Sequence, residues 1–149
     1  MGKRVTLDEV KRRYPDAETF SFGGGESEDL CEWLMSLIRN GKKTATCGAL
    51  RDFGQGPKLD GVEAIPTVGR RDIALNWDGT PAMVIETLAV ETKRFCDVDI
   101  DFALAEGEDK TLESWQAGHR AYYERNGGWS ADMMVVCERF EVIEDFGVH

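Results

Sequence analysis

Between Arg71 and Trp77 the chain alternates apolar and polar residues, with Ile73, Leu75 and Trp77 on one side, and beyond Asp78-Gly79 a β-rich run continues from Ala82 to Glu91. Period-two alternation broken by an Asp-Gly pair predicts a β-hairpin, because glycine supplies the positive φ that a tight turn requires. The chain is thereby committed to an antiparallel sheet.

The remaining elements are arranged around that pair. Thr6 to Tyr14 is predicted to be a short helix, with Thr6 as N-cap, Glu9 completing a capping box, Val5 stapled to Val10 and Pro15 as the stop. Thr19 to Phe22 reads as a short strand. From Ser27 to Arg39, Leu30, Trp33, Leu34, Leu37 and Ile38 form one apolar stripe of an amphipathic helix. Ser27 is its expected N-cap, Glu28 and Asp29 suit its first turn, and Asn40-Gly41 supplies left-handed residues to close it. A strand is expected from Thr44 to Leu50, a Gly- and Pro-rich loop from Asp52 to Gly69, and helices over Val98–Glu106 and Thr111–Arg125 with a break at Gly107. Met133 to Ile143 closes the fold as a strand with a bulge or change of face near Glu138. Strands with few, clustered helices predict α+β architecture with a small barrel or strongly curved sheet. The 149 residues read as one domain, its core at about 20–143, with helix 6–14 appended.

Charge narrows the partners. The formal net charge is −10, and only residues 42–94, with 8 basic and 7 acidic side chains, escape an excess of acid. Duplex binding draws on phosphate neutralisation, so duplex DNA is excluded as a partner, whereas a nucleoside or short single-stranded RNA needs only a local basic rim and a base pocket. No apolar run approaches the ~20 residues that span a bilayer, and no signal-peptide core follows the start, so a soluble, cytoplasmic protein without membrane contact is expected. Met1-Gly2 with Thr6 meets the myristoylation pattern only formally, since Thr6 has a capping role. Cys31, Cys47, Cys96 and Cys137 are scattered without a Cys-x-x-Cys pair, which argues against zinc and against a disulfide framework. Asp97, Asp99, Asp101 and Glu108 match calcium-loop spacing, but Phe102 stands where the loop needs glycine. No metal or cofactor is expected. Gly23-Gly24-Gly25 precedes acidic residues that would repel an anion, and so reads as a hinge or lid.

The hexapeptide Gly41-Lys42-Lys43-Thr44-Ala45-Thr46, polar and basic at the end of a rigid helix, is where a site is expected. It resembles the signature of ASCH domains, small PUA-like β-barrel proteins associated with RNA and nucleoside chemistry. Phe22-Gly23, Pro66-x-x-Gly69, Asp78-Gly79-x-Pro81, Ala105-Glu106-Gly107-Glu108, Trp115 to His119 and Val136-Cys137-Glu138-Arg139-Phe140 agree in order with the longer bacterial members over roughly residues 20 to 143. The resemblance implies a PUA-like small β-barrel with flanking helices. In the branch that deacetylates acetylated cytidine the matching Lys and Thr act with a Glu, which selects Lys43, Thr46 and Glu108 as catalytic residues.

Read as residues alone, the same groups have ordinary uses. Lys42 and Lys43 serve as a solvated helix-end pair, and strand geometry puts Lys43 and Thr46 on opposite faces. Glu106 and Glu108 are either exposed helix-end charges or a crowded pair with one raised pKa. His119 lies on the apolar stripe of its helix with Tyr122 and Tyr123, and Cys47 either packs or acts with His119 as a nucleophile. Two functions follow from the resemblance. One is a hydrolase of a pyrimidine nucleoside or single-stranded RNA, with Lys43 as base, Thr46 as nucleophile or relay and Glu108 as acid or stabiliser. The other is a non-catalytic module that binds RNA or senses a modified nucleotide. In either, Lys42, Thr44, Glu106, Trp115, His119 and Tyr123 are the expected substrate contacts, and a stability ranking follows: Trp33→Ala should cost far more than Lys43→Ala.

Overall fold

The predicted hairpin becomes the spine of the protein. The computed structural model describes residues 5–23, 26–54 and 63–147. Its elements run α1 (Leu7–Arg13), β1 (Glu18–Phe20), α2 (Glu28–Arg39), β2 (Ala45–Ala49), β3 (Phe53–Gly54), β4 (Glu63–Ala64), β5 (Arg71–Leu75), β6 (Pro81–Arg94), α3 (Ile100–Ala105), α4 (Leu112–Arg125) and β7 (Met134–Asp145). Five strands form one sheet in the order β1-β5-β6-β7-β2, and β3 and β4 make a small separate pair. β1 runs parallel to β5; the other pairs of the main sheet are antiparallel. The fold is α+β, as expected.

Bulges curl this sheet. The β6–β7 register shifts between Thr87 and Ala89, where Leu88 is the extra residue facing Arg139 and Phe140, and again between Val84 and Ile85. An inserted residue bends its strand and increases local twist. The bulge expected near Glu138 therefore exists, but on the partner strand. The curl brings Phe20, Asp72, Ile85, Glu138 and Thr46, from β1, β5, β6, β7 and β2, around one cavity of about 990 Å³.

Each face of the sheet has its own cover. α2 packs Cys31, Leu34, Met35, Leu37 and Ile38 on Ala74, Met83, Ile85 and Phe140. The opposite face is covered by α1, through Val10 against Ile73 and Val84, and by α3 and α4 against Ala45, Ala49, Val135 and Cys137. Val135 to Glu138 are consecutively buried because β7 is inside on both faces. Two residues predicted to be internal are not: Trp33 is 45% exposed at the cavity, and Trp77 is 45% exposed because β5 ends at Leu75 and leaves it in the turn.

The helix ends place the motif. Ser27 caps α2 through its hydroxyl, which accepts from the Leu30 amide at 3.1 Å. At the other end Gly41 alone is left-handed, with φ 75°, while Asn40 has φ −83°. The Gly41 amide donates to the Ile38 carbonyl and the Lys42 amide to the Leu37 carbonyl, a Schellman closure that turns Lys43 toward the end of α3. There the Thr44 amide donates to the Ala105 carbonyl at 2.7 Å. Within the long loop, Leu50–Asp52 forms a 3-10 turn, while 55–62 lies outside the described residues, as do Gly24 and Gly25 of the proposed hinge and the Met1-Gly2 pattern.

Gly107 closes α3 at φ 75°, and a Cβ there would stand 2.3 Å from the Lys42 carbonyl oxygen. Gly79→Ala, at φ 88° with nothing within 4 Å, isolates the conformational cost of a side chain, about 1–2 kcal/mol. Gly107→Ala should exceed it by at least about 1 kcal/mol, because the motif must move to make room. Urea unfolding of both variants gives the comparison, and equal losses would show that the close approach imposes nothing.

Candidate active site

A lysine near a helix end ordinarily keeps its ammonium in water. Lys43 does not: its residue is 3% exposed. Its Nζ donates to Glu108 Oε2 at 2.8 Å and to the Glu106 carbonyl at 3.3 Å. Two segments far apart in sequence make that contact, namely the Schellman closure after α2 and the end of α3 with its break at Gly107.

The two glutamates do not crowd, because Gly107 sends them to different partners. Glu108 takes Lys43. Glu106 turns inward, is 1% exposed, and its Oε2 accepts from Trp115 Nε1 and from His119 Nε2. Burial alone would raise the Glu106 pKa, but the bond from His119, the charge of Lys43 and the bond from Trp115 outweigh it and hold the carboxyl below its usual range. The raised carboxylate expected from the sequence is therefore not Glu106.

His119 is fixed on both sides. Its Nε2 meets Glu106 at 2.9 Å and its Nδ1 meets the Trp115 carbonyl at 3.0 Å. Neither a carboxylate nor a carbonyl can donate, so both ring nitrogens must, and the ring is an imidazolium. Burial pulls its pKa down, yet the bond to Glu106 and that carboxylate's charge overcome it and raise the value. The ring stacks on Trp115 with centroids 4.2 Å apart. His119 thus lines the cavity as a charged wall rather than filling core, and with both protons committed it cannot serve Cys47 as a base.

Thr46 and Lys43 reach one cavity although they leave the chain on different sides. β2 is the outer strand of the sheet, so groups from both of its faces open on the same space. Thr46 and Gly48 come from the face shared with Glu138, and Lys43 from the side of α3 and α4. Of the other expected contacts, Glu106, His119 and Tyr123 also line the cavity. Lys42 and Thr44 are exposed away from it, the Thr44 hydroxyl lying 3.4 Å from the Ala105 carbonyl. Trp115 is wholly buried between Phe95 and His119 and has no face for a base; it supports the wall from behind. Tyr123 is 1% exposed, with its hydroxyl 3.8 Å from Cys47 Sγ.

Sequence reasoning missed several lining groups. Trp33 was assigned to the core, yet it is an exposed aromatic at the cavity. Arg70, just before β5, Asp72 of β5 and Glu138 of β7 join the lining; Arg70 Nε bonds Asp72 at 2.8 Å, and Thr87 donates to Glu138 at 2.7 Å. Charged residues at the inward positions of strands were the available signal. The calcium-spaced carboxylates are dispersed, with Asp97 bonded to Arg94, Asp99 capping α3 and Glu108 on Lys43.

Known proteins match over most of the chain. The family model described as the ASCH domain matches residues 18–144. A crystal structure of an ASCH domain from Lactobacillus crispatus JV V101 is 31% identical, with TM-score 0.74, covering 94% of this chain and 87% of that one. A crystal structure of a protein from Enterococcus faecalis V583 is 28% identical, with TM-score 0.75 and coverage of 93% and 86%. No curated protein matches.

Two predictions follow from the buried charges. The stability ranking read from the sequence reverses. Lys43→Ala strips a partner from Glu108 and should cost about 2 kcal/mol or more. Trp33→Ala, half in water, should cost about 1 kcal/mol; chemical denaturation ranks them. The second concerns pH. The Glu106 contribution is present above its unfolded value of about 4.5 and is lost as pH falls through the depressed folded value; the His119 contribution is present below about 6.5 and is lost as pH rises through its raised folded value. The stability gap between wild type and His119→Gln should therefore be widest near pH 5–6 and shrink toward pH 9. A gap that is flat with pH would contradict the imidazolium assignment.

Proposed function

The chain belongs to the ASCH domain family, and from that membership and the cavity's geometry we propose that it hydrolyses the amide of an acylated pyrimidine nucleoside, with acetylated cytidine as the model substrate. The observation that carries this reading is the Lys43–Glu108 pair, 2.8 Å apart and largely removed from water, with Thr46 in the same cavity. The 2.8 Å hydrogen bond gives a proton a direct path between Lys43 and Glu108 beside Thr46.

In the proposed reaction the pair supplies a base and an acid together once that proton has passed from Lys43 to Glu108. The Lys43 amine takes the proton of the attacking oxygen, with Thr46 as nucleophile or relay. The oxygen bonds to the acyl carbon, and Glu108 gives its proton to the nitrogen as the carbon–nitrogen bond breaks. Lys43 ends as ammonium and Glu108 as carboxylate, and one proton transfer between them resets the pair.

The lining favours a small neutral substrate over a strand. It includes seven carboxylates, Glu26, Asp52, Asp72, Glu106, Glu108, Asp109 and Glu138, against five cationic side chains, Lys43, Arg51, Arg70, His119 and Arg125. Arg51 is bound to the Asn126 and Gly128 carbonyls and Arg70 to Asp72, so the cations are largely engaged. A phosphate backbone finds little to neutralise it here. A pyrimidine ring finds Trp33 and Tyr122.

Incubation with acetylated cytidine, read by mass for cytidine and acetate, tests the proposal. Lys43→Ala and Glu108→Gln should each lower turnover by about 100-fold or more. Thr46→Ser should retain activity that Thr46→Ala loses. Cleavage of unstructured RNA without deacetylation would reassign the site to a ribonuclease, and saturable binding of nucleoside or RNA without turnover would make the protein a binding module.

A further inference from the structure

We propose that Cys47 and Cys137 are a redox-active dithiol that closes to an intramolecular disulfide when a hydroperoxide enters the cavity. The two residues face each other across β2 and β7. The Phe140 amide donates to the Thr44 carbonyl at 3.1 Å, so Thr44 and Phe140 are a hydrogen-bonded pair of this ladder. Pair types alternate along antiparallel strands, and Cys47 with Cys137 lies three positions further on. It is therefore a non-hydrogen-bonded pair, whose Cα atoms stand about 4.5 Å apart with side chains close together. A disulfide spans Cα separations of about 4.4–6.8 Å, so this pair can be joined without moving a strand, at the short and strained end of the range.

Both side chains belong to the face covered by α4, where they pack with Trp115 and Tyr123. Both are free thiols. Their access differs. Cys47 lines the cavity and is half-buried, whereas Cys137 is 4% exposed. A small oxidant meets Cys47 first and Cys137 is placed to resolve the product.

The chemistry balances with a hydroperoxide as the two-electron oxidant. The Cys47 sulfur attacks the terminal peroxide oxygen, the oxygen–oxygen bond breaks, and an alcohol or water leaves as Cys47 becomes a sulfenic acid. The Cys137 sulfur then attacks the Cys47 sulfur, forming the sulfur–sulfur bond and expelling water. The first step is slow near neutrality, because the neighbouring Cys137 thiol, burial and the Glu106 charge raise the Cys47 thiol well above its ordinary pKa, and it quickens as pH rises. A strained bond on a sheet is readily reduced again, as a reversible modification requires.

Peptide mapping of the intact protein after graded hydrogen peroxide and thiol alkylation tests this. A linked Cys47–Cys137 peptide should appear, should be lost on treatment with dithiothreitol, and should form faster at pH 9 than at pH 7. Cys137→Ser should leave Cys47 as a sulfenic acid trapped by dimedone, and Cys31→Ser should leave the linkage intact. Exposed Cys96 is the internal control for oxidant strength. If Cys47 and Cys137 both stay alkylatable after Cys96 is oxidised, or if Cys47 links to Cys96 instead, the proposal is overturned.

Discussion

The arrangement rests on the docking of the end of α3 against the chain that follows α2. Ala105 and Glu106 present carbonyls that no longer have partners within their own helix, and the motif supplies donors to both, the Thr44 amide and the Lys43 ammonium. The segments are 63 residues apart. Without this contact β2 would have no guide at the motif end, Lys43 would return to water, and Glu108 would lose its partner. A carbonyl buried without a donor costs about 1–3 kcal/mol, so the same bonds that satisfy a helix terminus also hold the Lys43–Glu108 pair. Only glycine at position 107 leaves room for the approach.

What the sequence made legible was what is determined locally. The N-caps of α1 and α2, the hairpin and the break at Gly107 follow from a few adjacent residues, and all stand in the structure. What escaped depends on how distant elements meet. Trp33 lies on the apolar stripe of α2, and only the curl of the sheet leaves that part of the helix over an open cavity. Lys43 and Thr46 project from opposite sides of a strand, and only the position of β2 at the sheet edge lets both open on one space. The pairing of Cys47 with Cys137 is set by β7 folding back across 90 residues, which no spacing rule detects.

The charges inside obey a division imposed by desolvation. Each inward carboxylate has a cation or hydrogen-bond donor: Glu108 has Lys43, Glu106 has His119 and Trp115, Asp72 has Arg70, and Glu138 has Thr87. Buried ions persist only when paired, and removing one partner costs more than the pair contributes. The wall carrying Glu106 and His119 is thereby rigid and uninvolved in proton exchange, since its protons are committed. The Lys43–Glu108 pair differs in one respect, for Glu108 remains 23% exposed toward the cavity. The proposed proton transfer to a bound molecule therefore falls to that pair and not to its neighbour.

Because β2 is an edge strand, its register is held on one side only, by β7, and by α3 at the motif end. An edge strand has fewer constraints than a central one, and Thr46 shares its small freedom of position. The Cys47–Cys137 contact lies next along the strand from Thr46 and Glu138, on the opposite face. A covalent link there would fix β2 to β7 immediately beside the Thr46 hydroxyl, the proposed nucleophile or relay. Reaction geometry is sensitive to displacements of about 1 Å. The chemistry proposed on one face of β2 would thus be tied mechanically to the state of the thiols on the other, through a strand only one residue thick.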